Sequence, residues 1–324
     1  MRVDARVVVA IIGLLAFASV PFMATATGQP ALLGLANRVL IYALVAVSLD
    51  LIIGYGAMVS FGHAMFFGAG GYVVGIVAYH TANAEPLFGW SGTQAALVVW
   101  PLAMIVCAVL AAIVGALALK TSGVQFIMIT LAFAQMVFFL LVSLQTYGGD
   151  DGLMIDKRNT LPLVDLANPR NFYFTCLAVL TFWTLLCLSI VRSRFGLVLQ
   201  ALRQSERRAL NLGIRPLPFR LTAFVISAVG TGLAGALWAN FARFVTPDMA
   251  AWTKSGEFMA IVILGGLGTL LGPIVGTLVY LVLEQVLTIW TEHWMIVMGP
   301  VLTLIALFGR RGVAGRFFGQ RALA

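Results

Sequence analysis

Residues 258–283 read FMAIVILGGLGTLLGPIVGTLVYLVL, and no charge occurs in these 26 positions. As one α-helix the run would be about 39 Å long, too long for a hydrocarbon core of about 30 Å without strong tilt. It also holds Pro273, preceded by Gly272. A proline removes a helix donor and its ring collides with the preceding turn. The spacing therefore predicts two short apolar helices, near 258–271 and 273–290, in place of one long one.

Parity supports the break. Other apolar spans fall near 7–26, 33–53, 62–80, 94–119, 124–146, 172–191, 221–245 and 295–309. Start the N-terminus in the cytoplasm and count the run once, and the tail GRRGVAGRFFGQR ends outside, against the tendency of Lys and Arg to stay inside. Count it twice and there are ten crossings with the tail inside. Fourteen of the 20 basic residues then face the cytoplasm: Arg2, Arg6, Lys120, seven arginines within 192–220 and four in the tail. Asp150, Asp151, Asp156 and Asp165 face outward.

Composition agrees. The 324 residues are 61% apolar and 10% charged, against about 25% charged in soluble domains. The predicted class is an all-α polytopic membrane protein; the runs are too long and continuous for the alternating strands of a barrel. The net charge of +8 is topological on this reading and does not predict nucleic-acid binding. Cys107, Cys176 and Cys187 lie in apolar runs without metal-ligand spacing and read as packing residues. The first span follows Arg2 and Arg6 and reads as a membrane helix rather than a cleaved signal, since its charge-free run extends to Asn37. Without a linker or repeat, residues 1–324 read as one membrane-spanning domain, with an outer loop at 147–171 and an inner loop at 192–220.

The inner loop, RSRFGLVLQALRQSERRALNLGIRPLPFR, predicts one helix over 197–211. Leu199, Leu202, Ala209 and Leu210 recur at helical spacing, Gly213 caps the end, and Pro216 and Pro218 stop continuation. A basic amphipathic helix can lie on anionic lipid or dock into a protein. Glu206 among the arginines, and short connections to two spans, favour docking.

A second irregular stretch is GYGAMVSFGHAMFFGAGGY, residues 54–72, with six glycines and His63 between apolar runs. Small residues also recur four apart at Gly268, Gly272 and Gly276, at Ser227, Thr231 and Gly235, and at Gly71 and Gly75. That spacing lets membrane helices approach closely. At 54–62 and 268–273 the glycines are denser than packing requires. Bent backbone at membrane depth survives only where protein covers it or a cavity borders it, so these stretches predict a path for a solute. Asp50, His63 and Glu284 are the ionisable residues singled out at membrane depth. No P-loop, H-E-x-x-H, G-x-S-x-G or C-x-x-C motif occurs, which points away from an enzyme and from ATP binding on this chain.

Four stretches carry a resemblance over about residues 48–283. LDLIIGYGAMVSFGHAMFFGAGGY, YGGDDGL, LRQSERRALNLGI and GALWANFARFVTPDM…SGEFMAIVILGGLGTLLGPIVGT together resemble the LivM-type permease subunits of bacterial branched-chain amino-acid ABC importers. The resemblance implies a second, LivH-like permease completing the pore. It also implies two LivG/LivF-like ATPase subunits, which hold the ATP and Mg, and a periplasmic substrate-binding protein. It implies an inner-membrane location in contact with lipid. On the coupling segment it places Arg203, Glu206, Arg207, Arg208, Ala209 and Gly213. On the path and its hinges it places Gly54, Ser60, Gly62 and His63, with Gly265, Gly266, Gly268, Gly272 and Pro273. Asp50 stands where the family commonly has Asn, and Met58 where Gln is frequent; both lie beside the implied path, as does Glu284. Branched-chain or other hydrophobic amino acids are the implied substrate, with urea or short amides as the alternative. A self-sufficient carrier or channel is the reading from another class.

Overall fold

The computed structural model describes residues 5–26, 28–84, 86, 92–290 and 293–308. Among the described residues twelve α-helices run in chain order: α1 (Ala5–Ala26), α2 (Pro30–Ile53), α3 (His63–Asn83), α4 (Ala96–Ala118), α5 (Val124–Ser143), α6 (Pro169–Arg192), α7 (Arg194–Gln204), α8 (Glu206–Asn211), α9 (Pro216–Ala242), α10 (Trp252–Gly265), α11 (Gly272–Trp290) and α12 (Trp294–Phe308). Seven of them, α2 to α6, α9 and α11, are long and apolar enough to cross a membrane; among the described residues α1 and α12 offer shorter apolar lengths, and α10 is a 14-residue helix whose first turns carry Lys254 and Glu257 before it turns apolar. The chain is a multi-pass, all-α membrane protein. The tail and Arg2 on which the parity argument rests lie outside the described residues.

Helix α2 is the axis of the bundle. Every residue from Val39 to Ile53 is buried, and a helix that is apolar all round belongs inside. Helices α9, α6, α11, α10 and α1 surround it. Outer helices keep one exposed apolar face, as Ile105, Val109 and Ile113 do on α4 and Met136, Phe139 and Leu140 on α5.

Lipid is as apolar as leucine, so helices here gain from close backbone approach more than from hiding apolar area. Helices α3 and α9 meet in this way. A Cβ on Gly70 would strike Gly232 O, and one on Gly235 would strike Phe67 O. The Ser227–Thr231–Gly235 stripe is thus largely a packing seam.

After α9 the chain turns back into the bundle. Strand β2 (Phe244–Val245) pairs antiparallel with β1 (Leu153–Met154), and a 3₁₀ turn at Pro247–Ala250 follows. A Cβ on Gly68 would meet Ala250, and one on Gly71 the Met249 side chain. Helix α10 has 14 residues, about 21 Å, a length of about two thirds of the bilayer core. The break falls at 266–271, where Gly266 and Gly268 take φ of 106° and 74°, angles that favour glycine. The long apolar run is indeed two helices, and the first begins and ends six residues earlier than the sequence spacing predicts.

The inner loop departs from expectation. One helix over 197–211 is replaced by α7 and α8, broken at Ser205. Ser205 is extended (φ −162°, ψ 107°), and its Oγ accepts from Arg208 N–H. A serine that caps a new helix competes with continuation of the old one. Gly213 closes α8 at φ 79°; its N–H donates to Leu210 O and Ile214 N–H to Ala209 O, the double bond pattern of a glycine-capped end.

Candidate functional site

The two glycine-rich breaks meet. Asp50, fully buried on the last turn of α2, accepts Gly268 N–H at Oδ1 (2.7 Å) and Leu270 N–H at Oδ2 (3.1 Å). Its carboxyl therefore closes the 266–271 turn by taking the Gly268 and Leu270 donors, which neither flanking helix satisfies. A Cβ on Gly54 would meet both Asp50 and Gly268 N, and one on Gly265 would meet Gly272 and Pro273. Arg203 of α7 donates to Gly54 O. Asp50, Gly54, Gly265, Gly266, Gly268, Gly272, Pro273 and Arg203 form one junction between the inner loop and both breaks.

Ser60, Gly62 and His63 lie next to it, inside the protein and not on a surface. His63 is fully buried between the Phe66 and Phe224 rings. Its Nδ1 is 3.1 Å from Ser60 Oγ and its Nε2 3.0 Å from Ser227 Oγ. Ser227 donates its one proton to Ser48 O (2.6 Å), so Nε2 carries the proton toward Ser227 and Nδ1 accepts. Ala64 N–H, in the first turn of α3, donates to Ser255 Oγ of α10 (2.9 Å). These bonds fasten the N-terminus of α3 to α2, α9 and α10. The glycines at 54–62 thus let the chain turn back so that α3 can start within the protein.

A polar cluster lies farther along α2, where sequence reading singled out Glu284 alone. Glu284 is one member of a larger set. Arg38 Nη2 donates to Glu284 Oε1 across α2 and α11 (3.0 Å), and Lys254 Nζ to Glu257 Oε2 on α10 (2.7 Å). Tyr42 and Tyr280 stand among these four charges, and Lys254 Nζ is 5.9 Å from the Tyr42 ring centre. Tyr42 lies at the middle of α2 and Arg38 one turn nearer its start. The signal for Arg38 was present, a single cation in the otherwise uncharged 33–49 run. Lys254 and Glu257 gave none, because they precede the apolar run.

On the inner loop, Arg207, Arg208 and Gly213 are exposed while Ala209 is buried. Glu206 is paired within the chain, accepting from Arg220 at 2.9 and 3.2 Å. Leu199 and Leu202 turn inward as the helical spacing predicts, but Leu210 and Leu212 face out beside the arginines.

The outer loop is clamped to α9. Asn240 Nδ2 donates to Asn159 Oδ1, and Asn159 N–H donates to Asn240 Oδ1, both at 2.8 Å. Arg158 donates to Asn240 O and Leu166 O and covers the Phe172 ring. Burial, then the charge of Arg243, lowers the Arg158 pKa. An open cavity of about 680 Å³ lies here, lined by 156–167 with Gln94 and Arg243. Among the described residues, no group of three His, Cys, Asp or Glu is placed to hold a metal ion.

Residues 31–306 match the family described as the permease component of branched-chain amino acid transport systems. The chain is 24% identical, over 86% of its length and 69% of the relative's, to the high-affinity branched-chain amino acid transport system permease protein LivM of Salmonella typhimurium, with the same figures for that of Escherichia coli. It is 31% identical to LivH of Salmonella typhimurium over 43% of this chain and 46% of that one. No solved structure matches.

Proposed function

The chain belongs to the permease-component family of branched-chain amino acid transport systems, and on that premise we propose that it forms half of the pore of an ATP-driven importer of branched-chain or other hydrophobic amino acids. It is a transporter membrane subunit and not an enzyme. Its likeness to both LivM and LivH supports pairing with a second permease of the same fold. Two ATPases dock on the exposed arginines and Leu210 of α8 and on Leu212 just beyond it, and a periplasmic binding protein delivers substrate to the outer loop. Both termini and α7–α8 face the cytoplasm of the inner membrane, as the basic residues argue.

The observation that carries the mechanism is the Arg203–Gly54 bond. It joins the inner loop to the junction of both helix breaks, so movement of α7–α8 by the ATPases pulls on 54–62 and, through Asp50, on 266–271. A link of this kind moves a gate only if the gate has two discrete arrangements. The short helix α10, hinged at glycines, is the element free to rearrange.

The test is reconstitution. Purified with its partner subunits, the complex is expected to take up leucine in an ATP- and binding-protein-dependent manner. Uptake by this chain alone, driven by an ion gradient, would overturn the reading in favour of a carrier. Uptake of urea or amides without amino acids would overturn the substrate.

A further inference from the structure

The four charges on α2, α10 and α11 are not needed to hold the junction, which Asp50 and Arg203 close by themselves. Charges at membrane depth are costly and mark solute pathways or partner contacts. The group they form has three features. They are two of each sign, so the group is neutral as a whole. They are only partly enclosed: the Lys254 side chain is 37% exposed and Arg38 29%, whereas Glu257 and Glu284 are 15% and 17% exposed. And one of the two pairs, Arg38–Glu284, is incompletely satisfied, whereas Lys254 and Glu257 meet at 2.7 Å. Arg38 and Glu284 meet through a single contact, and Arg38 Nε and Glu284 Oε2 are buried without a partner among the described residues. A buried guanidinium and carboxylate normally satisfy each other through two parallel bonds.

We propose that the Lys254–Glu257 pair, backed by Arg38–Glu284, is a station in the path for the zwitterionic head of an α-amino acid. The substrate carboxylate displaces Glu257 from Lys254, and the substrate ammonium takes up the released Glu257 carboxylate. Each charge leaves one counter-ion only for another, so the group stays neutral throughout. An inorganic cation or anion leaves one protein charge unmatched, which is costly at this depth. An uncharged amide supplies neither partner and gains nothing from opening the pair. The station therefore assigns amino acids, and not amides, to the pore itself. This rests on the importer reading above and deepens it.

The test uses the complete complex in liposomes with its binding protein, and reads leucine uptake alongside ATP hydrolysis stimulated by liganded binding protein. Two double variants are compared. In Lys254→Glu/Glu257→Lys the ion pair keeps its spacing but its polarity is reversed. In Lys254→Met/Glu257→Met the pair is replaced by apolar side chains, a change that partly buried pairs commonly tolerate in folding. Both are expected to lose uptake by at least about tenfold, the worth of one charge-assisted contact, while the stimulated ATP hydrolysis persists. Uptake within about twofold of the parent in either variant overturns the station and leaves the pair as a scaffold. Should the reversed variant fail to assemble, the methionine variant decides alone; should that one fail too, the pair is structural and the proposal falls. If the parent complex carries no amino acid at all, the importer reading fails first, and the two failures are told apart by that control.

Discussion

Removing the Asp50 carboxyl is expected to loosen the 266–271 turn selectively. Two backbone donors, Gly268 N–H and Leu270 N–H, end on its two oxygens, and the residue is fully buried. Asp50→Ala leaves both donors without an acceptor, at about 1–3 kcal/mol each, or about 2–6 kcal/mol in total. Water entering the vacated space moves the loss toward the lower end. Asp50→Asn keeps one carbonyl oxygen and turns an NH₂ toward the other donor, so its loss is about half as large. The order Ala worse than Asn, and Asn worse than parent, is the prediction. It is read by thermal unfolding of the detergent-solubilised protein and by hydrogen exchange at Gly268 and Leu270, whose protection should fall before that of α2. If Asp50→Ala melts with the parent and both amides stay protected, something other than Asp50 holds the turn and the junction argument fails.

Other perturbations separate coupling from folding. Arg203→Ala removes a charged donor worth about 1.5–3 kcal/mol, and should lower uptake per ATP hydrolysed without lowering ATPase assembly; unchanged coupling would place the lever elsewhere. Arg207→Glu with Leu212→Glu alters exposed positions, so stability should stay within about 0.5 kcal/mol while co-purification of the ATPases drops at least tenfold, roughly the weight of a like-charge contact. Gly235→Leu must push against Phe67 O, and should cost about 1–3 kcal/mol or more by overpacking, seen as a lower melting temperature and yield. Asn240→Ala cuts the clamp on Asn159, and limited proteolysis within 147–171 should then accelerate at least several-fold, as for a loss of about 2 kcal/mol.

Much of the fold was legible because its signals are local. Uncharged runs long enough for a bilayer, a Gly–Pro break inside 258–283, and Gly213 followed by prolines each state what their own segment must do. Ser205 was legible too, as a capping residue, yet helical spacing over 197–211 overrode it; the break is a local fact that a periodicity argument smooths away. Glu206 also pairs with Arg220, 14 residues on and beyond two prolines, a contact that no spacing argument over 197–211 names.

The sequence by itself determined the class of solvent and that the 258–283 run must break near its glycines and proline. Those follow from transfer energies and backbone geometry, which each residue carries wherever it goes. Only the tertiary structure decided the use of the polar residues. Asp50 meets a turn 218 residues away, and Arg38 a glutamate 246 residues away. His63 is closed inside the bundle between the Phe66 and Phe224 rings. A charge or donor in a membrane must find a partner, but which one it finds depends on how helices pack, and close packing is set by small residues whose contacts no linear pattern names.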